Sequence, residues 1–86
     1  MLKVKKLSLD VVKPTELRTS SLLEVLSQAK AKINRVQIDS YELERNTESL
    51  KIIIEGDSLD MDEVYALIKQ YGGVVQNLDM VIAEKG

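Results

Sequence analysis

Asp10, Asp39 and Asp79 are the residues in this 86-residue chain whose type and spacing point to shared chemistry. Each lies in a segment that alternates apolar and polar residues, and the alternation assigns all three to one face of a sheet. Clustered carboxylates can form a hard-cation site for Ca²⁺ or Mg²⁺, a general acid/base pair, or a charged face satisfied by Lys51 and water. The charged face is the ordinary outcome for such a group. The sequence contains no His and no Cys, so imidazole bases, thiolate nucleophiles and soft-metal sites are excluded, and any cation would be an oxygen-seeking one. Ca²⁺ takes roughly six to eight oxygen ligands, so three aspartates would need carbonyls, waters or a neighbouring subunit's acids to complete the shell.

The remaining motifs carry less chemistry. The acidic run from Asp57 to Glu63 does not place its acids at the loop positions of a calcium-binding helix-loop-helix, and the loop glycine is missing. Its acids are explained by a helix cap and the helix dipole. Gly72-Gly73 follows a helical pattern, whereas phosphate-cradling glycines precede one, so it reads as a helix stop. Ser8, Ser20 and Ser21 have no histidine to activate them. The expectation is a protein that is not an enzyme.

The elements that must position these residues follow from periodicity. Leu7, Leu9 and Val11 recur with period two, predicting a first strand over 4–12 that Pro14 ends. Ser21 and Glu24 form a candidate capping box, with Leu22, Leu26, Ala29 and Ile33 at helical spacing, predicting a helix over about 20–32. Val36 and Ile38 open a second strand running through Tyr41 and Leu43, with a change of parity near Tyr41 that suggests a bulge or a strand apolar on both faces. The polar segment 45–48 reads as a hairpin turn in which Asn46 tolerates positive φ, and Leu50 to Glu55 as a third strand broken by Gly56. Asp60 and Glu63 make a second capping box, Leu59 and Val64 a hydrophobic staple, and Val64, Leu67, Ile68 and Tyr71 one stripe of a second helix. A fourth strand over 74–83 has Leu78, Met80 and Ile82 on one parity.

The order strand, helix, strand, strand, helix, strand defines an α+β ferredoxin-like plait, a single domain over residues 1–86, with two helices on one face of a four-stranded antiparallel sheet. Pairing Leu7 with Ile54, Leu9 with Ile52 and Val11 with Leu50 aligns the helix-facing residues and sets Asp10 against Lys51 and Lys6 against Glu55. Opposite charges across such a pair add roughly 0.2–1 kcal/mol each. The uncovered face carries aliphatic residues: Val12, Ile53, Tyr41 and Leu43, with Val75 and Val81 as further candidates. Such a set reads as an oligomer interface.

The formal charge of −2 argues against a phosphate-tracking surface, and the third strand offers Lys51, Ile53 and Glu55 where base-stacking aromatics would sit, so nucleic acid is not an expected partner. No window approaches the ~18 apolar residues of a membrane span, and the basic N-terminus lacks a continuous apolar stretch, so the expectation is a soluble cytoplasmic protein.

The segments Leu9-Asp10-Val11-Val12-Lys13-Pro14, Tyr41-Glu42-Leu43-Glu44, Ile52-Ile53-Ile54-Glu55-Gly56-Asp57-Ser58-Leu59-Asp60 and Gly72-Gly73-Val74-Val75 resemble a family of short archaeal proteins defined as domain of unknown function 211. The resemblance covers nearly the whole chain in order. It implies the same plait, symmetric homo-oligomers and no assigned enzymatic activity, with Asp10 and the acidic turn from Glu55 to Asp60 at family positions. The leading expectation is therefore a non-enzymatic, self-assembling cytoplasmic domain responsive to a divalent cation. The alternative is a regulatory module holding a small molecule at a subunit interface.

Overall fold

The computed structural model describes residues 1–86, in the order β1 (Leu2–Pro14), α1 (Thr19–Leu26), β2 (Ile33–Leu43), β3 (Thr47–Leu59), α2 (Met61–Tyr71) and β4 (Val74–Lys85). The strands form one sheet in the order β2-β3-β1-β4, and each neighbouring pair is antiparallel. This is the ferredoxin-like plait. Leu7, Leu9 and Val11 of β1 and Leu50, Ile52 and Ile54 of β3 pack with Leu22 and Leu26 of α1 and Val64, Ile68 and Tyr71 of α2 in one buried cluster. Both helices therefore cover the same face of the sheet. The register of β1 with β3 matches the expected one, including Asp10 opposite Lys51 and Lys6 opposite Glu55.

The second helix starts as its sequence dictates. The Asp60 carboxylate accepts from the Glu63 backbone N–H at 3.2 Å, and Leu59 and Val64 are both in the core. Gly72 ends the helix at φ +108°, its N–H donating to the Ile68 and Lys69 carbonyls. A residue with a Cβ would be strained there.

Four local expectations are corrected. The first helix ends at Leu26 rather than near Lys32, and Arg18 precedes it with no side-chain cap from Ser21 or any other residue. Its stripe would continue, but the N–H groups of Lys30 and Ala31 donate to the Glu63 carboxylate, at 2.8 and 3.2 Å, and so leave the helical ladder. The third strand runs past Gly56 to Leu59, because Gly56 serves a close approach: a Cβ there would lie 2.5 Å from the Lys32 carbonyl oxygen. Asn46 has no positive φ, and β3 begins at Thr47 directly after it. In β4, Ser8 faces Met80 while Leu9 faces Leu78, which makes Asp79 an extra residue in a bulge. Leu78 consequently faces the helices while Met80 and Ile82 face away, and Val75 and Val81, opposite Val11 and Leu7, also lie on the helix side. The bulge suspected in β2 is present: Ser40 faces Leu50 and Glu42 faces Ser49, leaving Tyr41 unpaired between them.

Candidate functional site

The register resolves the uncovered face into rows that cross all four strands. Arg35, Glu55, Lys6 and Ile82 form one row, and Gln37, Ile53, Ser8 and Met80 the next. The third row is Asp39, Lys51, Asp10 and Asn77, and beyond it Ser49, Val12 and Val74 align beside the Tyr41 bulge. The sequence alternation places Asp10 and Asp39 in one row, and the bulge brings Asp79 to the same place.

Lys51 is the centre of the third row. Its ammonium lies 3.3 Å from Asp10 Oδ1 and also bonds Asp79 Oδ2. Asn77 Nδ2 donates to the other Asp79 oxygen at 2.6 Å, and the Tyr41 hydroxyl approaches Asp10 Oδ1 at 3.4 Å. Asp39 accepts from Gln37 Nε2 at 3.1 Å instead of joining the others. The structure thus draws Asp10 and Asp79 together around an ammonium and leaves Asp39 beside them. No three acidic side chains anywhere in the chain are close enough to share a metal ion. The Lys51 hydrogen bond holds the Asp79 carboxyl below the usual carboxylate range, and the same bond pushes the Lys51 ammonium up.

Of the residues expected at an interface, Val12, Ile53 and Tyr41 lie on the uncovered face. Leu43 does not. The Tyr41 bulge sets Leu43 opposite Glu48, on the helix side, where it is 71% exposed beyond the helices. The apolar residues of the face are concentrated instead on β4, as Val74, Met80 and Ile82, while the β2 margin is polar. Those three were missed as a set because their column is visible only once the Asp79 bulge is known.

A second polar centre follows from the strand parity. Lys13 continues the buried series Leu7, Leu9, Val11 and is 1% exposed. Its ammonium pairs with Glu48 Oε1 at 2.7 Å and donates to the Leu17 and Pro14 carbonyls. Ser40 Oγ donates to the other Glu48 oxygen, and the bonds from Lys13 and then Ser40 hold the Glu48 carboxyl low. Every donor of Lys13 is engaged, so this group fastens the β1–α1 loop. Beside β4, Tyr65, Lys69, Gly73, Val74 and Val75 line a cavity of about 260 Å³.

These features define a small α+β plait whose bare sheet face carries a lysine-centred carboxylate network and an apolar edge strand. Residues 5–86 match the model of a family described as DUF211, Uncharacterized ArCR, and the chain belongs to that family. It is also similar to the Uncharacterized protein MJ0319 of Methanocaldococcus jannaschii, 34% identical over 82 residues that span 95% of this chain and 84% of the relative. The resemblance drawn from four short segments is therefore a family relationship, and it carries the fold without a named reaction. No helix is long and apolar enough to cross a membrane.

Proposed function

We propose that this chain is a non-enzymatic, self-assembling cytoplasmic domain whose partner is a second copy docked on the uncovered sheet face. The observation that carries this reading is the apolar column of Val74, Met80 and Ile82 beside Val12 and Ile53 on a face no helix covers. Met80 and Ile82 are 37% and 39% exposed. The molecule measures 44 by 23 Å across its two longest axes, a face on the order of 1,000 Å², compared with roughly 800 Å² per partner in an ordinary stable complex. The cost of covering the central charges is reduced because Lys51 pairs with both Asp10 and Asp79 within the chain, leaving the trio a single net negative charge, while Arg35 and Asp39 stand at the solvated β2 margin.

Light scattering at micromolar concentration tests the reading. The wild type should have a multimeric mass, and Ile53→Glu should lower it. A monomeric wild type, or a variant with unchanged mass, sinks the proposal.

The cavity beside Val74 favours a second reading, in which a small organic ligand sits where subunits meet. Amino acids and nucleotides should then raise the melting temperature of the wild type while Ca²⁺ and Mg²⁺ leave it unchanged. A rise with the cations alone would instead support a divalent-cation site completed across subunits by Asp10, Asp39 or Asp79.

A further inference from the structure

The two edges of the sheet are built differently. Along β2 the exposed residues are mostly polar or charged, including Arg35, Gln37, Asp39 and Glu42, and extra residues at Asn34 and Tyr41 interrupt its ladder. These are the devices by which proteins keep an open edge from pairing. β4 has a different composition. Between Val74 and Ala83 its single charge is Asp79, already bound to Lys51. It is apolar on both faces, with Leu78 and Val81 toward the helices and Val74, Met80 and Ile82 away from them, and all five are between 37% and 58% exposed. A half-buried edge strand alternates apolar and polar residues, whereas a strand apolar on both faces belongs in the interior of a sheet or assembly.

The bulges at Gln76 and Asp79 leave Met80 to Lys85 as the longest stretch of β4 without an extra residue of its own, the remaining irregularity, at Lys5, being on β1. We propose that this stretch of β4 is an edge for strand addition, occupied by the same stretch of a second copy, antiparallel about a two-fold axis, so that two four-stranded sheets become one. Charge and shape favour self-pairing over an unrelated strand. A two-fold centred on Ile82 sets Ile82 against its own copy on the uncovered face and Val81 against Ala83 of the second copy on the helix side. It also brings the Asp79 end of each strand to the Lys85 end of the other, opposite charge to opposite charge. No like-charge pair is created along the apolar stretch. The inference rests on the self-assembly reading but concerns a different surface, an edge rather than a face.

Amide hydrogen exchange, read residue by residue, tests it. In an unpaired β4 the N–H groups that point away from β1 face solvent, as do the outward amides of β2. With the second copy in place, the outward amides of Met80 to Lys85 should exchange at least ~100-fold more slowly than those of β2. That protection should fall on dilution and vanish in a Val81→Lys, Ala83→Lys variant, which sets lysine against lysine across the two-fold. Both residues are exposed on the helix side of β4, so the variant keeps its core and the apolar column of the uncovered face, and unchanged protection at Leu9 and Ile52 verifies that it folds. Outward β4 amides that exchange as fast as those of β2 at every concentration overturn the edge inference, whatever Ile53→Glu does to the mass. Protection that persists on dilution in a monomer overturns it too, because the edge would then be closed by something other than a second copy. Protection retained in Ile53→Glu places the contact at the edge independently of the face.

Discussion

Lys51 occupies the position that a cation would take between Asp10 and Asp79, and this governs how the uncovered face responds to acid. Asp79, held low by the Lys51 bond, contributes stability that is present above the ordinary carboxylate value near 4 and is lost as pH falls through the lowered value. Glu48, held low by Lys13 and then Ser40, contributes in the same direction on the other side of the sheet. Lys51 is raised, so its share is complete below the ordinary lysine value near 10.4 and is lost only at higher pH. Stability should therefore be level from about pH 5 to 10 and decline at both ends. Asp79→Asn should be less stable than the wild type at pH 7 and approach it as pH falls through the lowered Asp79 value, below which both side chains are uncharged. Urea titrations across that range check the convergence, and curves that stay parallel would mean that the ion pair contributes nothing measurable.

At the scale of elements, Glu63 is the residue whose role changed most between sequence and structure. Its spacing from Asp60 reads as a capping box, and the first half of the box is made. The reciprocal half is not, because the Glu63 carboxylate turns to the Lys30 and Ala31 amides and ties the α1–β2 connection to the start of α2. Asp60→Ala should cost about 1 kcal/mol, the usual price of a lost cap. Glu63→Ala removes two charge-assisted acceptors and should cost more, about 2 kcal/mol, with faster exchange at the Lys30 and Ala31 amides. Equal losses for the two variants would show that Glu63 acts only within its own helix. The same contact explains which parts of the fold were legible. The β1–β3 register could be read because apolar alternation and cross-strand charges agree on one alignment, and the start of α2 because cap and staple coincide. The end of α1 could not, since the competing acceptor lies more than thirty residues away in the chain. Nor could the facing of Leu78 or Leu43, since each depends on one extra residue, Asp79 or Tyr41, that shifts the parity of everything after it. Of the candidate site, the opposition of Asp10 and Lys51 was legible, whereas Asp39's separate partner and the apolar column on β4 were not.

At the scale of the whole molecule, the strands outreach the helices. A thirteen-residue strand such as β1 spans about 43 Å, whereas the eleven residues of α2 span about 16 Å, so the helical layer caps only the middle of the sheet. Apolar surface consequently remains on the far side of the sheet and along β4, where the side chains of Val74, Met80 and Ile82 belong to the face and the outward backbone groups of the same strand form the edge. A face that docks on its own copy and an edge that pairs with its own copy are both two-fold contacts, and two such contacts used together close into a tetramer or propagate. The proposed surfaces therefore imply a stepwise response to mutation. Ile53→Glu should leave a dimer joined at the edge, Val81→Lys with Ala83→Lys a dimer joined at the face, and the combination a monomer, each read by sedimentation equilibrium. A wild-type mass corresponding to an odd number of chains, or a single-surface variant that falls directly to monomer, would reduce the two surfaces to one and require a different symmetry.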